Sequence, residues 1–339
     1  MKQDIKPTVI AFEVTRRCRF HCPHCRAGAG IDPSEEILTT GQCKNIIDAI
    51  ASYSKCTLIV TGGEPMERSD IYELISYGDN AGLKVVMATC GYLIDAEAIR
   101  KLKKAGVQAL SVSIDGSSAE SCDALKDTPG AFDAAVNAAK IAKKGRMRFQ
   151  INMAISKANV DEVAGVYELA KRLGAYCFNP FVLVPTGSAK ELKDEVIDPI
   201  DYEMLMNEFL EIKLEKDMEL RVTCGPQFAR VSRQQQMERL GIDVKGCMGA
   251  REFGFISYRG DVQICGFLDV SAGNLLENGY NFAKIWNESE LLEKVRSQEF
   301  SGACGNCGYM TVCGGCRARA YSTAGDYMAS DPVCGHKSV

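Results

Sequence analysis

The chain has 339 residues, 46% of them apolar and 25% charged, with 40 Lys and Arg against 44 Asp and Glu for a net charge of −4. These are the proportions of an ordinary globular protein of about two domains, which excludes a disordered chain, a collagen-like chain and a coiled coil. The slight negative balance argues against a nucleic-acid surface, no run of about 18 apolar residues offers a membrane span, and the opening MKQDIKPTVIAFEVT has no signal core. No nucleic-acid or membrane partner is expected, and the cytoplasm is the expected compartment.

Six β-branched or apolar runs follow one another at 8–15, 57–63, 83–89, 107–115, 147–155 and 175–184. Amphipathic stretches rich in Ala, Lys and Glu lie between them. Two of these, AEAIRKLKKAG and VDEVAGVYELAKRLG, end at Gly106 and Gly174, where a C′ glycine belongs. Asn159 with Glu162 three residues on resembles a capping box. Strands alternating with helices predict a parallel sheet whose functional face lies at the strand C-termini. Six such units suit a curved or partial barrel as well as an open sheet. Farther on, FGFISYRGDVQIC (253–265) reads as a hairpin turning at Arg259-Gly260-Asp261, which puts Cys265 at a strand end.

Sixteen cysteines are the loudest feature. In a reducing compartment they point to metal, cluster or redox chemistry rather than disulfides. Eight lie at or before Cys177 and eight from Cys224 onward, so two units are expected: 1–225 and 226–339. In the first, Cys18-x3-Cys22-x2-Cys25 directly follows the first strand. Three thiolates can grip three irons of a cubane cluster and leave the fourth open, the logic that separates catalytic from structural metal sites. The competing reading is a zinc site completed by His21 or His24, but zinc ligands usually come in two separated pairs. Cys43, Cys56, Cys122 and Cys177 sit in helix or strand patterns and read as buried, inert thiols. Cys90 is intermediate.

This triplet, with His24 just before its last Cys, resembles the radical S-adenosylmethionine (SAM) superfamily. That resemblance implies an α/β fold, a partial (β/α)6 TIM-type barrel, and a [4Fe-4S] cluster whose open iron chelates SAM. Further matches fall on successive strand ends. Thr61-Gly62-Gly63-Glu64-Pro65 is similar to the motif that hydrogen-bonds the SAM amino group. Ala88-Thr89-Cys90-Gly91 stands where the family often reads S-T-N-G, with Cys90 departing from the Asn. Ser113 and Asp115 occupy the position that approaches the SAM ribose and carboxylate, and Asn152 and Leu183 the adenine side.

In the last third, Cys247 and Cys265 precede Cys304-x2-Cys307-x5-Cys313-x2-Cys316 and Cys334. The gap of five is too short for a zinc ribbon, and crowded thiolates look more like ferredoxin ligation. The pattern resembles the SPASM extension of radical SAM enzymes, a cysteine-rich iron–sulfur domain that implies one or two auxiliary [4Fe-4S] clusters. By that analogy Cys304, Cys307, Cys313 and Cys334 ligate one, and Cys247, Cys265 and Cys316 the other. Cys224 is available as a fourth ligand, or that position stays open to substrate.

The segments around Arg26, 183–187, 223–227 and 313–321 resemble the tetrapyrrole-modifying branch, which includes heme b synthases and heme d1 maturation enzymes. This implies oxidative decarboxylation of two propionates of iron-coproporphyrin III to vinyl groups, with an external electron donor of flavodoxin or ferredoxin type. A substrate with several carboxylates needs planar, bidentate cations. The candidates are Arg16, Arg17, Arg19, Arg26, Arg230, Arg233, Arg251, Arg317 and Arg319, foremost Arg17, Arg26, Arg230, Arg317 and Arg319. Arg317 and Arg319 share a face only if their stretch is extended. The competing readings are a peptide-crosslinking maturase, for whose leader-binding domain the strand at residue 8 leaves no room, and a non-catalytic electron carrier.

Overall fold

The computed structural model describes residues 5–30 and 38–336. The outermost ends of the two expected units, 1–4 and 337–339, lie outside them. All six predicted strands are present: β1 (Val9–Thr15), β2 (Thr57–Gly62), β3 (Lys84–Thr89), β4 (Ala109–Ser113), β5 (Arg148–Ile155) and β6 (Cys177–Val182). They pair in that order, all parallel, with helices between them. Short β7 (Glu219–Leu220) continues the sheet beyond β6. The other end carries β8 (Phe253–Ile256), β9 (Asp261–Gln263) and β10 (Gly273–Asn274), and the whole sheet runs β10-β9-β8-β1-β2-β3-β4-β5-β6-β7. Among the described residues β10 and β7 do not pair, so the sheet is not a closed barrel and takes the partial-barrel form expected.

Each strand alternates. In β1, Ile10, Phe12 and Val14 pack into the main core with helix residues such as Ile46, Ile47 and Ile50. Ala11, Glu13 and Thr15 take the other face, and all three are buried as well. The helices end as expected. Asp95 caps 96–105, and Gly106 and Gly174 are left-handed at φ 104° and 86°. The capping box expected at Asn159 is not formed. Residues 160–162 make a 3-10 turn, and the buried Asn159 amide instead donates to the carbonyls of Asp115 and Ala154, both at 2.8 Å. Its Oδ1, the acceptor that a cap would have used, takes Ser156 N–H at 2.8 Å instead.

The hairpin of β8 and β9 is antiparallel, pairing Phe255 with Gln263. Its first strand runs parallel to β1, with Val9 opposite Phe253. The expected boundary at 225/226 thus falls inside one continuous sheet, and buried side chains from both sides of it share one core.

At the C-terminal rim the backbone of β1's exit lies against the turn after β2. Gly63 N–H donates to Thr15 O at 2.8 Å and Glu64 N–H to Arg17 O at 2.7 Å. A Cβ on Gly63 would stand 2.4 Å from Arg17 O, a backbone atom that cannot swing away. Gly63→Ala is expected to cost about 2–3 kcal/mol, read as a lower denaturant midpoint of the cluster-free protein. An unchanged midpoint would mean this approach is not required.

Candidate active site

The three-thiol loop is pinned at its base. Cys18 N–H donates to Gly30 O, Gly30 N–H to Arg16 O, and Cys25 N–H to Cys22 O. From across the barrel Ser188 N–H donates to Cys25 O at 3.0 Å. The preceding Gly187, at φ 60°, sits where a Cβ would strike Arg26 O. A hydrogen bond from the Cys90 thiol holds the Cys18 thiol down to about 6, while burial pushes Cys22 up to about 12 against the pull of Lys126. The Tyr92 hydroxyl also reaches Cys18 Sγ at 3.8 Å. Cys43, Cys56, Cys122 and Cys177 are buried and their thiols pushed up by burial, as inert thiols should be.

Glu64 is fully enclosed. It accepts from Met66 N–H at 3.1 Å, Thr89 Oγ1 at 2.8 Å and Cys90 N–H at 2.7 Å, yet burial still pushes it up to about 7. Its carboxyl straps the turn after β2 to the end of β3, which leaves the backbone of Gly62, Gly63 and Pro65 to face the rim. The departure from Asn at Cys90 is harmless to this strap, because the backbone amide makes the contact.

Asp115 is the second buried acid. It accepts from Ala154 N–H at 2.7 Å, and Ser113 Oγ lies 3.2 Å away. Lys126 Nζ lies 2.5 Å and His24 Nε2 3.3 Å from it. Burial alone would raise the Asp115 carboxyl, but Lys126 and His24 hold it well below the usual carboxylate range. His24 Nδ1 meets Leu125 O at 3.1 Å, so the ring bridges the cluster loop to the helix 119–126. Lys126 was missed at the sequence level, where a Lys in the last turn of a helix reads as a solvated end. Ser113, Asn152 and Asn179 stand side by side on β4, β5 and β6. Leu183 N–H donates to Ile155 O at the far rim, and Leu183 is buried.

The cysteines of the last third form two sets of four. Cys304, Cys307, Cys313 and Cys334 line one cavity. Cys224, Cys247, Cys265 and Cys316 form the other: a hydrogen bond from Cys224 lowers the Cys316 thiol to about 7, and Cys316 acts electrostatically on both Cys247 and Cys265. Cys224, left open by the sequence, thus joins Cys316. All sixteen thiols are free. Among the described residues no three His, Cys, Asp or Glu converge closely enough to hold a single ion. Cubane ligands each bind a different iron and stand farther apart than ligands on one zinc, so the thiol sets fit clusters.

Three of the expected substrate arginines are otherwise engaged. Arg319, wholly buried, forks onto Asp331 at 2.9 and 3.0 Å and donates to Cys224 O. Arg317 donates to Tyr327 O, Ala329 O and Cys304 Sγ, and both lie in the helix 317–324 rather than an extended stretch. Arg230 is buried against Glu203 and Gln234. All three side chains thus already hold protein partners, though Arg230 also lines the cavity of Cys304, Cys307, Cys313 and Cys334. Arg17 is exposed and Arg26 half-buried.

Thiol triplet, strand-end acids and two four-thiol sets belong together in one known architecture. The chain belongs to the radical SAM superfamily: residues 12–170 match that family, and 247–317 match an iron–sulfur cluster-binding domain of SPASM type. It is an enzyme of that class, with SAM and [4Fe-4S] clusters as cofactors. It is 43% identical to the AdoMet-dependent heme synthase of Methanosarcina barkeri, over 97% of this chain and 96% of that one. It is 40% identical to the AdoMet-dependent heme synthase of Nitratidesulfovibrio vulgaris, over 99% and 94%. In fold it resembles Streptococcus suis SuiB bound to S-adenosylmethionine, with a TM-score of 0.76 at 17% identity over 98% of this chain and 78% of that one. No described helix is long and apolar enough to cross a membrane.

Removing one partner of a buried ion pair strands the other. Lys126→Met is expected to destabilise the cluster-free protein by about 3 kcal/mol or more in denaturant unfolding, with Asp115→Asn added on top recovering part of the loss. Strict additivity of the two changes would mean that they are not a pair.

Proposed function

We propose that the chain oxidatively decarboxylates two propionates of iron-coproporphyrin III to vinyl groups, giving heme b. What supports this reading is the nearly end-to-end similarity to AdoMet-dependent heme synthases, joined to the two sets of four thiols. In it, residues 1–225 carry the radical chemistry and 226–339 the electron return. Each conversion removes a hydrogen atom from the propionate β-carbon; the carboxylate then leaves as CO2 and one electron departs, forming the vinyl double bond.

Cys18, Cys22 and Cys25 would hold the open cluster, which with SAM supplies the hydrogen-abstracting 5′-deoxyadenosyl radical. The backbone at Gly62, Gly63 and Pro65, together with Thr89, Ser113, Asn152 and Leu183, lines the SAM side. Asp115, kept ionised by Lys126, fixes His24 and the cluster loop. Cys304, Cys307, Cys313 and Cys334 would hold one auxiliary cluster, and Cys224, Cys247, Cys265 and Cys316 the other. A flavodoxin or ferredoxin of the cytoplasm is the electron donor in this scheme.

The test is an anaerobic incubation of reconstituted protein with SAM, a strong reductant and iron-coproporphyrin III, read by mass spectrometry. The expected result is loss of two CO2 units with matching 5′-deoxyadenosine, both abolished when Cys18, Cys22 and Cys25 are changed to Ala. SAM cleavage with the porphyrin unchanged would overturn the heme b assignment and turn attention to other tetrapyrroles and to peptides.

A further inference from the structure

Glu13 is a lone charge in the apolar strand VIAFEVT, and its side chain is fully buried. Oε1 accepts from Arg26 Nη2 at 3.2 Å, and Oε2 accepts from Tyr258 N–H at 3.3 Å. Arg16 Nε lies 3.8 Å from Oε2, beyond hydrogen-bond reach. Among the described residues, two guanidiniums around one carboxylate leave one positive charge unmatched.

The two arginines differ in what they already hold. Arg26 is employed: its other terminal nitrogen donates to Gly266 O at 3.2 Å, and its plane lies 4.8 Å from the Phe255 ring. Arg16 rests 4.1 Å over the Tyr258 ring, and its buried Nε has no hydrogen-bond partner among the described residues. An aromatic shelf fixes the plane of a guanidinium without using its N–H groups. A buried donor left without a partner is costly. The fork of five donors matches the two oxygens of a carboxylate.

Position adds the rest. Arg16 stands two residues before Cys18, with its carbonyl against Gly63. Arg26 follows Cys25 and touches Gly266, the residue after Cys265. The pair therefore lies between the three-thiol loop and the set of Cys224, Cys247, Cys265 and Cys316. A substrate that loses hydrogen on one side and an electron to the other has to sit there.

We propose that Arg16, shelved on Tyr258 and flanked by Arg26, anchors one propionate carboxylate of the tetrapyrrole. Glu13 is a positioning residue: it holds Arg26 in place and lets two cations share one corner. A bound carboxylate completes the charge balance. Arg17, in solvent on the same segment, offers only a weak exposed contact. The proposal rests on the heme synthase reading, and its failure is separable from the failure of that reading.

The test is equilibrium binding of iron-coproporphyrin III, followed by its Soret band, to cluster-loaded protein without SAM or reductant. The uncharged tetramethyl ester serves as a second probe, and iron content is measured for every variant. Arg16→Gln should weaken binding of the tetracarboxylate about tenfold or more and leave binding of the ester unchanged. Arg16→Lys, which keeps the charge and loses the fork, should bind the acid less tightly than the parent and decides the matter if Arg16→Gln fails to load iron. Unchanged affinity for the acid, or equal weakening for acid and ester, overturns the proposal. A parent protein that does not bind the tetracarboxylate overturns the heme synthase reading instead.

Discussion

The close approach of two stretches of main chain, Thr15–Arg17 leaving β1 and Gly62–Glu64 leaving β2, is the constraint on which the site depends. Backbone meets backbone there, with no side chain between. This sets where Cys18 emerges and where Glu64 enters the protein. Glu64 then reaches the end of β3 through Thr89 and the Cys90 amide, and the Cys90 thiol returns to Cys18. Three consecutive strand ends are thereby closed into one loop of contacts. Glycine at position 63 is a steric demand of this loop before it is a signature of any cofactor.

Two buried ion pairs extend the same logic outward. Asp115 with Lys126 gathers His24, Ser113 and the end of β5. Arg319 with Asp331 gathers the Cys224 carbonyl, the Cys316 amide at 2.7 Å and Gln227 at 2.8 Å. Buried pairs of this kind add little net stability over apolar packing, because desolvation consumes most of the Coulombic gain. What they provide here is direction. Each fixes, through charged hydrogen bonds, backbone that carries or adjoins a thiol. Asp331 N–H and Arg317 Nη2 both donate to Cys304 Sγ, and hydrogen bonds to a ligand sulfur are one of the levers by which a protein sets a cluster's potential.

Much of this was legible in the sequence where the signal was local. Six strands, two glycine-ended helices and the hairpin at Gly260 follow from periodicity and turn chemistry over a few residues. The Cys18 triplet is local too, because a loop of eight residues can bring its own thiols together. What was not legible depended on burial or on distant partners. Nine arginines look alike in a string of letters. The structure shows Arg26, Arg230, Arg317 and Arg319 engaged with carboxylates and main-chain carbonyls, and Arg16 resting on the Tyr258 ring near Glu13. Asn159 had the spacing of a cap and went to the strand ends: its amide donates to two buried carbonyls and its Oδ1, the acceptor a cap would offer, is taken by Ser156 N–H. Cys224 found Cys316 across about ninety residues, which no spacing rule reports. Glu13 went unread although it carries a local sign: a charge amid apolar residues that alternate along a strand must be paired inside.

The continuous sheet ties the C-terminal third to the first strand of the barrel. β8 pairs with β1 on the side opposite β2. Neighbouring strands are held about 4.8 Å apart by their ladder; β8 leaves the sheet beside β1 at the end where Cys18 emerges, and antiparallel β9 then runs back, carrying Cys265 toward the start of β1. The same register puts Tyr258 and Gly266 beside Glu13 and Arg26, so that the wall between the two thiol groups is also the wall that carries the unmatched cation. One pairing of strands thus decides what charge lines the space between the two thiol groups.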